Sequence, residues 1–99
     1  MSNSPLVQYT KISPHMTIGR NHIIDTITIH HMAGDLSIEA CGDVFQSREA
    51  SSNYGVDSKG RIGMYVEEKD RSWCSSSSSN DNRAITIEVA AFNKKWEIS

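Results

Sequence analysis

No basic run exists in this sequence. Its ten lysines and arginines are offset by twelve acids, for a net charge of −2. Without a cationic patch to release counterions from phosphates, nucleic-acid binding has no electrostatic basis. Long apolar runs are missing too. The longest span only a few residues, which excludes a membrane-crossing helix of the usual length. The opening stretch MSNSPLVQYTKISPH lacks the charged-then-apolar pattern of a secretory signal. The expected product is therefore made in the cytoplasm, unless another protein exports or releases it. Cysteine is scarce. Cys41 and Cys74 make neither a disulfide framework nor a CxxC zinc knuckle, and both are expected as reduced thiols. With 37% apolar residues in 99 positions, the chain has material for one small domain with a thin core.

What is present reads as alternating strand and helix patterns. Residues 1–20, with Pro5, Pro14 and Gly19, read as an irregular arm. Asp25–His30 (DTITIH) is the clearest strand, with Ile27 and Ile29 on one face and Thr26, Thr28 and His30 on the other. Leu36–Ser47 predicts a helix capped by Ser37, with Ile38, Cys41, Val44 and Phe45 on one stripe. Gly42 inside it costs about 1 kcal/mol relative to alanine, so this helix depends on tertiary packing. Tyr54–Asp57 and Arg61–Glu67 predict a hairpin, with Gly60 free to take positive φ in the turn. RSWCSSSSSNDNR reads as a long polar loop with the composition of a flexible connector. Ala84–Ala90 (AITIEVA) predicts a last strand, Ile85, Ile87 and Val89 facing away from Glu88. Strand, helix, hairpin, strand make a mixed α/β sheet with a flanking helix. The tail AFNKKWEIS ends where a further helix would cover the second face. The expectation is a single but partial domain over residues 1–99. Its open face would invite a second chain or self-association.

Two strand ends carry chemistry. His30 closes the first strand, where functional groups collect in α/β folds. Glu88 lies between Ile87 and Val89. Taken singly, His30 reads as a core or surface histidine and Glu88 as a solvated acid on a half-exposed strand. Together they suggest a zinc hydrolase, an imidazole ligand beside a carboxylate that accepts a proton from water. His15 and His22 read as loop residues. Cys74, after Trp73, has no partner spacing that marks it as a ligand or a reactive thiol. DSKG lacks the acid pattern of a calcium loop, and no Ser/His/Asp arrangement stands out.

TITIHHMAG, SSNYGVDSKGRIGMYVEEKDRSW and NRAITIEVA, in this order, resemble the zinc N-acetylmuramoyl-L-alanine amidase family. That family includes phage endolysins and prophage amidases and is similar to the peptidoglycan recognition proteins. The resemblance covers nearly all of residues 8–90 and lies in the order of the segments. It implies an amidase-type mixed sheet, incomplete at its C-terminus, and hydrolysis of the amide bond between N-acetylmuramic acid and L-alanine in the bacterial cell wall. By the family pattern, His30 is the first zinc ligand, His31 faces the other side of the strand, and Glu88 is the catalytic general base. Tyr54 helps wall the cleft, and Trp73 and Cys74 fall at substrate-binding positions. Cys74 stands where relatives often carry histidine.

The same pattern draws a second zinc histidine, and a cysteine or aspartate, from a part following the glutamate strand. AFNKKWEIS contains no histidine or cysteine, and three protein ligands are the norm for catalytic zinc. The resemblance thus implies a zinc site left with an incomplete ligand set, and a chain that neither holds zinc tightly nor cleaves peptidoglycan alone. The alternatives are a non-catalytic peptidoglycan- or muropeptide-binding module and a fragment without function.

Overall fold

In the computed structural model, which describes residues 2–32 and 34–90, nine elements follow one another. They are β1 (Tyr9–Thr10), β2 (Met16–Thr17), β3 (Thr26–His31), α1 (Ile38–Ser47), β4 (Tyr54–Val56), β5 (Ile62–Met64), β6 (Arg71–Ser72), α2 (Ser78–Arg83) and β7 (Ala84–Val89). Five strands form one sheet in the order β1-β5-β4-β7-β3, and β2 and β6 form a separate two-stranded ribbon. The sheet is mixed, as expected. β7 runs parallel to both of its neighbours, β3 and β4. β4 and β5 are the antiparallel hairpin. Its turn closes through the Gly60 N–H to the Asp57 carbonyl, with Gly60 at φ +78°.

Helix α1 starts where the sequence places it. The Ser37 side chain accepts from the Ala40 N–H, and Ile38, Cys41 and Phe45 are buried beneath the helix. Cys41 and Phe45 pack with Met32, Tyr65 and Ala90 into a small core. Phe45 meets Tyr65 edge to face at 5.3 Å. Tyr65 is fully buried, and its hydroxyl donates to the Ile38 carbonyl. Its ring lies in a slot made by Gly42, Gly55 and Gly63, each of which would put a Cβ within 3.2 Å of it. The interior glycine of α1 therefore leaves room for this ring against the helix.

Two expectations need correcting. The N-terminal arm is not wholly irregular: β1 adds an edge strand beside β5, and β2 pairs with β6. The serine run is not a flexible connector. Ser77 caps α2 by accepting from the Asn80 N–H, and β6 precedes it. The reason is tertiary. The Ser72 hydroxyl lies 2.6 Å from Thr86 Oγ1 of β7, and Asn53 exchanges hydrogen bonds with the Thr86 N–H and hydroxyl. Arg20 reaches in from the arm to donate to the carbonyls of Glu68, Asp81 and Ala84. These contacts satisfy backbone groups that a free polar loop would leave to water.

Residues on β3 and β7 alternate between two environments. Thr28, His30, Thr86 and Glu88 share the face that carries α1, because Gly55, in register with Glu88, lies over Tyr65. The other face is exposed at β3, where Ile27 and Ile29 are 68% and 55% exposed, while Ile85, Ile87 and Val89 of β7 are half-buried. The expected ending of the domain falls in residues 91–99, outside the described residues.

Candidate metal centre and cleft

β3 and β7 pair in parallel with His30 opposite Glu88. Partners in a parallel ladder project to the same side, so both side chains enter the space beneath α1. His30 Nδ1 lies 3.8 Å from Glu88 Oε1, with the imidazole 48% exposed and the carboxylate 14%. Cys74 closes the group, its Sγ 3.9 Å from the same Glu88 oxygen. One donor atom from each of His30, Cys74 and Glu88 lies within 4.8 Å of the other two. Imidazole nitrogen, thiol sulfur and carboxylate oxygen are the donor types that bind zinc. The three border a cavity of about 470 Å³, floored by Cys41, Val44 and Phe45 of α1.

Burial raises the proton affinity of Glu88, against the lowering pull of His30 and Arg48 nearby. Burial likewise pushes the Cys74 thiol up to about 12, reinforced by the negative charges of Glu88 and Asp81. Cys41 is held neutral by burial in the same way, at about 12. Both cysteines are free thiols.

The position of Cys74 is imposed by Asp81, a residue that sequence reasoning missed. This buried carboxylate accepts from the Cys74 N–H at 3.1 Å, and from the Ser75 N–H and hydroxyl at 3.2 and 2.7 Å. The signal was a serine cap followed by an acid in the first helical turn, hidden inside a low-complexity run.

The other expected site residues divide. Trp73 donates through its indole N–H to Thr17 Oγ1 and lies beside the His15 ring. It borders a second cavity of about 300 Å³, which shares Ala50 and Cys74 with the first. Tyr54 does not wall the cleft. It is in register with Ile87, hence on the opposite face from Glu88, and it is buried, with its hydroxyl donating to Glu68 and accepting from the Ser4 N–H. His31 follows His30 and by alternation belongs with Ile27 and Ile29, yet at the strand end it still borders the cavity. His15 bonds the Gln46 carbonyl, and His22 is exposed; neither borders the metal-donor cavity.

No helix among the described residues is long and apolar enough to cross a membrane. The family model for N-acetylmuramoyl-L-alanine amidase matches residues 13–98. Two solved structures share the fold. A selenomethionine derivative of AmpD superposes with a TM-score of 0.68 at 18% identity, covering 96% of this chain and 69% of that one. A glutamate-to-alanine mutant of PlyL gives 0.61 at 14% identity, covering 91% of this chain and 59% of that one. No curated protein matches the sequence. With the family model spanning most of its length and the sheet shared with these structures, the chain belongs to the N-acetylmuramoyl-L-alanine amidase family.

Proposed function

We propose that this chain works on peptidoglycan at the bacterial cell wall, hydrolysing the bond between N-acetylmuramic acid and L-alanine with zinc as cofactor. The observation that carries this reading is the pairing of His30 with Glu88 at the mouth of one cavity, in a chain matched by the amidase model. Zinc, when bound, supplies a Lewis acid for the scissile carbonyl and acidifies a water molecule. His30 would hold it. The sequence alone implied too few ligands for cleavage by this chain, but donor atoms of His30, Cys74 and Glu88 lie within 4.8 Å of one another, which supports an active centre here instead. Glu88, beside His30 and mostly shielded from solvent, takes the proton of the attacking water and returns it to the leaving amine. Trp73 lines the second cavity, which shares Ala50 and Cys74 with the first, and there it would offer an aromatic surface to the glycan or stem peptide.

The test is incubation of the purified chain, supplied with zinc, with dye-labelled peptidoglycan. Released dye and newly exposed L-alanine amino termini are expected, and both should disappear in Glu88→Gln. Co-sedimentation with the wall without any release would replace this reading with a non-catalytic binding module.

A further inference from the structure

Family resemblance puts Cys74 in contact with substrate, but its surroundings in the structure are those of a metal donor. Its sulfur shares Glu88 Oε1 as a neighbour with His30 Nδ1, at 3.9 and 3.8 Å. In a tetrahedral zinc site with bonds of about 2.0–2.3 Å, donor–donor edges run roughly 3.3–3.8 Å. The three atoms, all within 4.8 Å of one another, need move by about an ångström or less to become such a face.

We infer that Cys74 is a metal ligand, and that with His30 and Glu88 it forms a site for a zinc-class divalent ion built from residues 30–88 alone. The donor set excludes magnesium and calcium, which take oxygen ligands, and favours the ions that accept nitrogen and sulfur. Closing the loop around the ion carries little entropic cost, because Asp81 already fixes the Cys74 and Ser75 backbone in the absence of metal. Exposure of His30 leaves an entry path and a fourth position open to water or substrate. Binding displaces the thiol proton, so the thiolate is the ligand. Glu88 coordinating through Oε1 keeps its second oxygen. Cys41 lines the same cavity but is buried against Tyr65 in the core, which makes it the control thiol.

The experiment is a cobalt(II) titration of the reduced, metal-free 99-residue chain, followed by displacement with zinc. One equivalent of cobalt is expected to give a near-ultraviolet thiolate-to-cobalt absorption that zinc abolishes. Cys74→Ser should lose the absorption and weaken cobalt binding by about tenfold or more, with an unchanged far-ultraviolet circular dichroism spectrum. Cys41→Ser should keep both absorption and affinity. Cys74→His, which retains a donor, should bind cobalt without the absorption. Absorption that persists in Cys74→Ser, follows Cys41, or never develops in the parent chain would overturn the assignment. The wall assay separates the two readings. Cobalt absorption that tracks Cys74 without wall hydrolysis leaves this inference standing and removes the amidase reading. Zinc-dependent hydrolysis with metal binding unchanged in Cys74→Ser does the reverse.

Discussion

His30 and Glu88 occupy one rung of the parallel ladder between β3 and β7, and their side chains meet at 3.8 Å over the cavity beneath α1. A slip of one residue in that register would send one of them to the open face. Glu88→Gln preserves shape but removes the base and weakens a metal donor, so wall hydrolysis is expected to fall by about 100-fold or more and bound zinc to fall with it. His30→Ala should reduce both hydrolysis and bound zinc. Dye release and elemental analysis after dialysis measure these effects. Full activity in Glu88→Gln would remove the glutamate from the reaction.

Asp57 ties the hairpin turn to the start of α1. Its carboxylate accepts from the backbone N–H groups of Lys59, Arg61 and Ile38 and pairs with the Arg61 guanidinium at 2.8 Å. Burial alone would raise its pKa, but these hydrogen bonds and the Arg61 charge outweigh that and hold it below the usual carboxylate value. A depressed folded-state pKa contributes stability above the unfolded value, about 3.9, and loses it as pH falls through the folded one. Asp57→Ala, which leaves the buried Ile38 N–H and the part-buried Lys59 and Arg61 donors without this acceptor, should cost about 1–3 kcal/mol at pH 7. Its penalty should shrink toward pH 2, as followed by urea unfolding across that range.

Gly55 touches the face of Tyr65. A Cβ there would lie 2.7 Å from Cε2 and 2.9 Å from the hydroxyl of a ring that is fully buried. Gly55→Ala is therefore expected to destabilise the fold by about 1–3 kcal/mol through overpacking. Thermal unfolding would show it, and a neutral result would mean that the ring can shift out of its slot.

Asp81 holds the loop that presents Cys74. Asp81→Ala should cost about 1–3 kcal/mol, from backbone donors left without an acceptor. Hydrogen exchange at the Cys74 and Ser75 amides should rise more than at α1. Uniform loosening across the domain would show that Asp81 serves general stability rather than this loop.

Ile27 and Ile29 stand exposed on an edge strand, a combination that invites pairing between chains. Replacing both with lysine should raise solubility and reduce any concentration-dependent association seen by sedimentation. Because neither side chain is buried, stability should change by no more than about 0.5 kcal/mol per site.

Local pattern alone determined much of this fold. Period-two alternation in Asp25–His30 and Ala84–Ala90 marked the two long strands, and the Ser37 cap with its apolar stripe marked α1, because such signals depend only on neighbours along the chain. The order of those segments also carried the family. Which residues meet was a different question, decided by pairing across the sheet. Register set His30 against Glu88 and turned Tyr54 to the opposite face, though it lies in the same hairpin that the sequence predicts. The two-residue strands of the arm were too short to leave a period, and they exist because β5 and β6 offer them partners. The serine run looked like a linker by composition, since serine is a weak helix former. Its order comes from the buried Asp81 carboxylate and from Ser72 against Thr86, contacts that bring Cys74 to the metal-donor cluster only once the sheet has formed.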